Sequence, residues 1–152
     1  MDQTYRIFTD GSAIGNPGPG GWGVVAIQGK ERREMSGAHP CTTISEMELV
    51  AAVQALRSVE GRARVELHSD SEYLIYGMRA FVSRWQRHGW RNRRGTQLQH
   101  RELWTDLIEL NANLPIRWMW IKGHSGHREQ ARADELAYQA ARALWVREKA
   151  AA

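Results

Sequence analysis

The chain has 152 residues, 42% of them hydrophobic and 25% charged, which is typical of one folded domain spanning residues 1–152. Its single cysteine, Cys41, excludes an internal disulfide and a cysteine-based zinc site, which suits a reducing compartment. No signal-peptide pattern follows Met1 and no apolar run is long enough to cross a bilayer, so we expect a cytoplasmic protein without a membrane segment. A net charge of +4 favours an acidic partner such as nucleic acid, though only weakly.

The alternation of apolar and polar residues predicts an α/β chain. Its elements, in chain order, are strands at 5–9, 22–27 and 32–37, a helix at 43–58, a strand at 64–69, short helices at 71–78 and 80–88, a helix at 101–111, a strand at 116–121 and a helix at 128–146. The first three strands should form an antiparallel meander, and the later strands should run parallel to the first because helices separate them. We therefore predict one five-stranded mixed sheet with helices on both faces.

Four carboxylates occupy informative positions in these elements. Asp10 and Asp70 each follow a predicted strand, Glu48 is the only charge in an apolar helical stretch at 47–56, and Asp134 adjoins the apolar stripe of the last helix. Each has an ordinary alternative: a turn residue for Asp10, a side chain favoured by the helix dipole for Glu48, a helix cap for Asp70 and an exposed helical residue for Asp134.

These four carboxylates can instead meet at one end of the sheet, since the carboxyl ends of neighbouring parallel strands lie side by side. Such a cluster cannot remain fully ionised without cations, and oxygen ligands suit Mg²⁺ or Mn²⁺. Two such ions about 4 Å apart support phosphodiester hydrolysis. The positions therefore favour a metal-dependent nuclease.

A second feature is a basic segment, residues 73–101, which has no acidic residue between Glu72 and Glu102. Its arginines can neutralise phosphates, and its aromatic residues can stack on bases or line a groove. The alternative is an ordinary solvated helix face. The arginines are Arg79, Arg84, Arg87, Arg91, Arg93, Arg94 and Arg101, interleaved with Phe81, Trp85 and Trp90.

Several segments together resemble the bacterial ribonuclease HI (type 1 ribonuclease H) family. They are Phe8-Thr-Asp-Gly-Ser12, Gly15-Asn-Pro-Gly-Pro-Gly-Gly-Trp-Gly23, Met47-Glu-Leu49, Ser69-Asp-Ser71, Trp118-Met-Trp-Ile-Lys-Gly-His-Ser-Gly-His127 and Ala133-Asp-Glu-Leu-Ala137. They follow the family's order and span residues 5 to about 142, which makes the resemblance far more specific than any one motif.

The resemblance implies a ribonuclease H domain that cleaves the RNA strand of RNA/DNA hybrids, leaving 5′-phosphate and 3′-hydroxyl ends. It implies two Mg²⁺ ions with substrate, with Mn²⁺ as a substitute, and a protein that acts as a monomer. Asp10 would bridge both metals, and Glu48 and Asp70 would complete the metal on the leaving-group side. Asp134 would help to hold the metal that activates water. His124 would assist proton transfer or product release, although a surface-loop histidine is its ordinary alternative.

The resemblance also implies contacts with the hybrid. Thr43 is equally explained as a helix cap, and Trp104 as a core aromatic residue. Glu48 would share in recognising the RNA 2′-hydroxyl. The implied contacts are Asn16, Thr43, Arg84, Trp85, Arg87, Trp90, Arg91, Arg93, Arg94 and Trp104.

Four positions depart from the family pattern. Ile44 and Ser45 stand where asparagines are common, Glu72 replaces a common Gln, and Gln130 replaces a common Asn. None is an implied metal ligand, so the departures bear on substrate affinity and sequence preference.

Competing interpretations are weaker. The Gly18-x-Gly20-x-x-Gly23 pattern matches a dinucleotide-binding fingerprint but leads into a strand, whereas the fingerprint opens a helix. His124-x-x-His127 lacks further zinc ligands. A non-catalytic hybrid-binding module explains the basic segment but not four clustered acids. A junction-resolving nuclease is the nearer alternative.

Overall fold

The computed structural model describes residues 3–123 and 126–152. Five strands of this part of the chain form one sheet in the order β3-β2-β1-β4-β5. β1 pairs antiparallel with β2 and β2 with β3, whereas β1 with β4 and β4 with β5 are parallel, which confirms the predicted mixed sheet. The strands are β1 (Tyr5–Ala13), β2 (Gly18–Gln28), β3 (Glu31–Thr42), β4 (Val65–Ser69) and β5 (Ile116–Trp120); the helices are α1 (Ile44–Arg57), α2 (Glu72–Tyr76), α3 (Val82–Arg87), α4 (Arg101–Asn113) and α5 (Arg128–Ala151).

The meander strands are longer than their sequence patterns predict. β1 continues four residues beyond Thr9, and β2 begins at Gly18, four residues before the strand predicted from residue 22. Pairing between the two strands extends them through residues of low strand propensity, with Gly20 opposite Ala13 and Gly21 opposite Ser12. Asp10 therefore lies inside β1, and the prediction that the strand ends there is wrong.

The parallel pairing explains why Asp10 is still at an edge of the sheet. β1 and β4 pair in register only from Tyr5↔Val65 to Phe8↔His68. Beyond that point β1 keeps its β2 partner, while β4 ends at Ser69. Asp10 thus lies just beyond the point where β1 and β4 stop pairing.

The helical region after Asp70 is continuous and not two separate helices as predicted. A π-helical turn, Gly77–Phe81, joins α2 to α3. Gly77 packs against the indole of Trp104, where an added Cβ would lie 2.8 Å from the ring atom Cζ3. Hydrogen bonds in a π-helical turn join residues five apart, so the turn changes which side of the helix each residue faces. This change accommodates the contact between Gly77 and Trp104.

Apolar side chains lie on both faces of the sheet because successive strand residues point to opposite sides. Ile7 and Val24 join Leu49 of α1 and Trp104 of α4 in the larger core. The smaller core contains Phe8 and Val25, the next residue in each strand, with Ala133 of α5. The helices therefore cover both faces, as predicted. Among the described residues, no helix is long and apolar enough to cross a membrane.

Candidate active site

Three of the predicted carboxylates come together at the opening between β1 and β4. Each of Asp10, Glu48 and Asp70 offers an oxygen atom, and these atoms lie within 4.8 Å of one another. Asp10 is 4% exposed and Glu48 6%, while Asp70 is half-buried. The cap alternative for Asp70 is wrong, because the N-cap of α2 is Ser71, whose hydroxyl accepts a hydrogen bond from the Leu74 amide at 3.2 Å.

Glu48 reaches this cluster because α1 lies very close to β1. A Cβ added at Gly11 would stand 2.5 Å from the Glu48 amide nitrogen and 2.6 Å from the Met47 carbonyl carbon. Only a residue without a side chain allows this approach. The Gly11 amide also donates a 3.0 Å hydrogen bond to Asp10 Oδ1, which orients that carboxylate.

Asp134 approaches from the opposite side through a second close contact. Gly23 is the register partner of Asp10, and a Cβ there would overlap the Ala133 carbonyl oxygen and lie 2.8 Å from the Ala137 amide nitrogen. α5 therefore rests directly on β2 beside Asp10. Asp134, the residue after Ala133, lies near enough for its negative charge to help raise the pKa of Asp10.

The electrostatics of the cluster are unfavourable for carboxylates on their own. Burial is the main cause that raises the pKa of Asp10 from 3.8 to about 8, and the charges of Asp70 and Asp134 add to it. Burial, followed by the charge of Asp10, also raises the pKa of Glu48 well above its usual range. A cation at this position would relieve both effects.

The donor set fits a hard divalent cation. Glu48 Oε2 is buried and has no hydrogen-bond partner among the described residues, and such an atom costs free energy unless something binds it. Carboxylate oxygens are the ligands that Mg²⁺ and Mn²⁺ prefer. The cluster can therefore hold a metal ion.

The remaining predicted catalytic residue, His124, lies outside the described residues. On the Asp134 side of the cluster there is a small cavity. It is lined by Asp70, Lys122, Gly126, His127, Gln130, Ala131 and Asp134.

The basic segment forms a separate surface. Its central turn is held by local hydrogen bonds: Asn92 Oδ1 accepts from the Arg94 and Thr96 amides, both at 2.9 Å, and Arg91 donates to the Gly95 carbonyl at 2.8 Å. The stretch 91–97, which lies between the predicted helices at 80–88 and 101–111, carries one isolated bridge between Arg91 and Gln97. In the part of the chain that the structure describes, Arg84, Arg87 and the arginines of this turn form no ion pair.

An open groove of about 780 Å³ runs along this surface. Arg91, Arg93 and Arg94 are exposed on it, and Arg84 and Trp85 are half-buried. Unpaired guanidinium groups beside aromatic rings suit a polyanion with bases. The lining is Phe81, Arg84, Trp85, His88, Arg91, Asn92, Arg93, Arg94, Gly95 and Leu98.

Two aromatic residues of the implied contact set are buried. Trp104 is 0% exposed, and its indole nitrogen donates to the Tyr73 hydroxyl at 3.1 Å, which favours the core alternative. Trp90 is 5% exposed and hydrogen-bonds through its backbone to Trp85 and Leu98. Both support the groove from beneath.

Asn16 and Thr43 lie together at the start of α1. Thr43 is the N-cap, and its hydroxyl accepts from the Glu46 amide at 3.2 Å. The Glu46 carboxylate accepts from the Thr42 hydroxyl at 2.7 Å. Asn16 Oδ1 accepts from the Ile44 amide at 3.0 Å, so it ties the β1–β2 connection to the helix that carries Glu48.

Sequence reasoning missed the packing beneath the cluster. Phe8 stacks on His68 with ring centroids 4.6 Å apart and contacts His127 at 4.9 Å. Gln130 is buried and bonds to the backbone of β1. The sequence marked Gln130 only as a departure from the family pattern, and its burial was not predicted because a polar residue in an amphipathic helix is expected to face solvent.

Comparison with known proteins finds relatives of this chain. A family model described as RNase H matches residues 2–142. The ribonuclease H of Erythrobacter litoralis is 46% identical over 139 residues, which cover 91% of this chain and 96% of that protein. The ribonuclease H of Moorella thermoacetica is 45% identical over 143 residues, 93% of this chain and 94% of that protein.

Two solved structures show the same fold. LC9-RNase H1, described as a type 1 RNase H with the type 2 active-site motif, superposes with a TM-score of 0.84 at 28% identity, over 95% of this chain and 74% of that one. LC11-RNase H1, solved in complex with RNA/DNA hybrid, superposes with a TM-score of 0.69 at 25% identity, over 97% of this chain and 99% of that one.

Proposed function

Because the chain belongs to the ribonuclease H family, we propose that it hydrolyses the RNA strand of RNA/DNA hybrids, using two Mg²⁺ ions and leaving 5′-phosphate and 3′-hydroxyl ends. The observation that carries the proposal is the cluster of Asp10, Glu48 and Asp70, in which one Glu48 oxygen has no hydrogen-bond partner in the described part of the chain. A related enzyme solved with an RNA/DNA hybrid supports the choice of substrate.

Four residues would hold the ions. Asp10 would be the shared ligand, because acidic residues of α1, of the end of β4 and of α5 all interact with it. Glu48 and Asp70 would complete one site, and Asp134 the other. When bound, such ions supply charge stabilisation and an activated water for hydrolysis of a phosphodiester.

The chain's own groups would do the remaining work. Glu48, whose backbone packs against Gly11, would also accept a hydrogen bond from an RNA 2′-hydroxyl. The 2′-hydroxyl distinguishes RNA from DNA. His124 would assist proton transfer or product release. We also expect the protein to act as a monomer in the cytoplasm.

The groove of the basic segment would bind the hybrid backbone. The exposed arginines of the groove, Arg91, Arg93 and Arg94, and the exposed Arg87 of α3 would contact phosphates. Half-buried Arg84 and Trp85 would line the groove wall. We assign Trp90 and Trp104 to support of the groove because both are buried. Asn16 and Thr43 would contact the hybrid at the start of α1, next to the carboxylates.

The test is a cleavage assay with Mg²⁺ on labelled RNA/DNA hybrid, duplex DNA, duplex RNA and a four-way junction. We expect cleavage of the hybrid alone, in the RNA strand, with 5′-phosphate and 3′-hydroxyl products. Cleavage of the junction would identify a resolving nuclease instead. Tight binding of the hybrid without cleavage would identify a binding module, and either result would overturn the proposal.

A further inference from the structure

Gln130, in the first turn of α5, is a buried polar residue that the proposed chemistry does not use. Its side chain is 5% exposed, and its amide nitrogen donates a 2.9 Å hydrogen bond to the Thr9 carbonyl. Its Oε1 is buried and has no partner among the described residues. A buried amide is costly unless it is hydrogen-bonded, so the bond to Thr9 is the interaction that keeps Gln130 in place.

The bond joins two backbones next to the carboxylates. Thr9 immediately precedes Asp10, and Gln130 precedes Asp134 by one helical turn on the same side of α5. Thr9 also lies one residue past the last β1–β4 register pair, Phe8 and His68. The side chain of Gln130 therefore connects α5 to β1 at the point where β4 no longer pairs with β1.

The bond differs from the other contacts of α5 with the sheet. The contact of Gly23 with the backbone of α5 sets how near the helix lies to β2. The hydrogen bonds from Arg132 to Glu34 of β3 are directional but lie in solvent. The bond from Gln130 to Thr9 is buried, and a hydrogen bond loses strength when its length or angle changes. It therefore restrains α5 along its axis directly beside the carboxylates.

We propose that Gln130 is a positioning residue that sets the placement of Asp134 relative to Asp10, and through it the affinity for a divalent cation and the turnover rate. This inference rests on the proposed function, since it takes Asp10 and Asp134 as cation ligands. It also gives Gln130, one of the departures from the family pattern, a role within the framework of the site and not in contact with substrate.

The test replaces Gln130 with a residue of similar length that cannot donate, Gln130→Met. The binding of Mn²⁺ is measured from the EPR signal of the free ion, and hybrid cleavage is measured with Mg²⁺. We expect the Mn²⁺ dissociation constant to rise about two- to tenfold, as for the loss of one hydrogen bond. We expect kcat to fall about tenfold, because a small displacement of a reacting group is costly, with KM unchanged within about twofold.

The matched control is Gln139→Met, on the same helix, where the exposed amide bonds only to Glu135 in the described structure. It should match the wild type in every measurement. If Gln130→Met does not fold, Gln130→Leu, which also cannot donate a hydrogen bond, takes its place with the same expectation.

The outcomes separate this inference from the proposed function. If wild type binds Mn²⁺ and cleaves hybrid and the Gln130 variant equals it in both, only the role of Gln130 is overturned. A variant that melts at a lower temperature but keeps wild-type Mn²⁺ affinity and kcat shows a purely structural role and also overturns it. If wild type neither binds Mn²⁺ nor cleaves hybrid, the proposed function fails, and the inference fails with it.

Discussion

The carboxylate cluster and the basic segment are built in opposite ways. The cluster of Asp10, Glu48 and Asp70, with Asp134 beside it, collects residues from four parts of the chain far apart in sequence. Two close backbone contacts, at Gly11 and Gly23, bring two helices against the sheet. The basic segment is continuous in sequence, and its turn is held by short-range hydrogen bonds. The difference follows from the chemistry, because catalysis needs fixed geometry whereas binding of phosphates needs mainly positive charge.

The two regions also differ in how they affect stability. The cluster is buried and its carboxylates repel one another, and both effects raise the pKa of Asp10. The surrounding core must therefore offset the free-energy cost of the cluster. The arginines of the basic segment remain in water, where their charge costs little. Mutations in the cluster should therefore change activity and stability together, while mutations of the exposed arginines of the basic segment should change binding alone.

The largest effect is expected for Asp10→Asn. Loss of the shared ligand should reduce Mg²⁺-dependent hybrid cleavage by more than about a thousandfold, as for removal of an essential catalytic group. Without divalent ions the same variant should melt at a higher temperature than wild type, because an ionisable group is removed from a buried acidic cluster. A variant that retains substantial activity would contradict the assignment of the metal site.

The pH dependence of this stabilisation has a defined sign. The pKa of Asp10 is raised from 3.8 to about 8, so its contribution to stability is greatest below pH 3.8 and is lost as the pH rises through 8. The advantage of Asp10→Asn should therefore grow between pH 4 and pH 8. Thermal melts in EDTA across this range would measure it, and a difference that shrinks with pH would contradict the expected sign.

The second-largest effect is expected for a glycine substitution beside the cluster, which is compared with one in the basic segment. Gly23→Ala places a methyl group against the Ala133 carbonyl and the Ala137 amide, so it should lower the free energy of unfolding by about 1–3 kcal/mol. The added methyl group should also displace α5 and move Asp134 away from Asp10, which should lower kcat. Chemical denaturation and steady-state kinetics would measure the two effects.

Gly95→Ala, in the basic segment, is the comparison. Gly95 has a φ of +82° and no atom within 4 Å of the added Cβ, so only the backbone conformation opposes the change. We expect a loss of about 1 kcal/mol and no change in kcat. If the two variants had equal effects on kcat, the proposed difference between the regions would be wrong.

Much of the architecture could be predicted from the sequence because apolar periodicity records which faces are buried. Glu48 stood out as the one charge in an apolar helix, and Asp70 as the residue after a buried strand. The extension of β1 past Asp10 could not be predicted, because it depends on pairing with glycines of β2 that have low strand propensity. Long-range pairing, not local preference, decides such residues.

The details of packing likewise could not be predicted from the sequence. Trp90 and Trp104 could be read as groove residues or as core, since an aromatic side chain suits both, and only their burial favours the core. The bond from Gln130 to Thr9 joins residues 121 positions apart. A helical pattern cannot show which strand carbonyl lies opposite one polar side chain.

The third effect concerns the turn of the basic segment. Replacing Arg91, Arg93 and Arg94 together with Ala should raise KM for the hybrid more than it lowers kcat, because their guanidinium groups contact phosphate and not the reacting bond. The slope of log affinity against log salt should become shallower by about one for each phosphate that is no longer neutralised. Cleavage kinetics at several salt concentrations would measure both.

The control removes equal charge elsewhere. Arg142, Arg147 and Lys149 are exposed near the end of α5, and their joint replacement by Ala also removes three positive charges. If KM rises equally in both triple variants, net charge and not the groove governs binding, and the role assigned to the turn is wrong.

The smallest effect is expected for an exposed ion network that joins β3 to α5. Glu34 accepts two hydrogen bonds from Arg132 at 2.9 Å and one from Arg32 at 3.0 Å, and mainly the bonds from Arg132 lower the pKa of Glu34 from 4.5 to about 2. A lowered carboxyl pKa adds stability above pH 4.5 that is lost as the pH falls towards 2. Since the network is solvent-exposed, Glu34→Gln should cost less than about 1 kcal/mol at pH 7.

Denaturation of Glu34→Gln beside Glu31→Gln at pH 7 and pH 2.5, in low and high salt, would measure this contribution. Glu31 is on the same strand and forms no ion pair within residues 3–123 and 126–152, so its variant should behave as wild type. The cost at Glu34 should shrink in acid and in high salt, because protonation and screening both weaken the network. A cost that persisted under both conditions would mean that Glu34 holds α5 by packing, and the alignment of α5 at Asp134 would then depend on β3 as well as on β1 and β2.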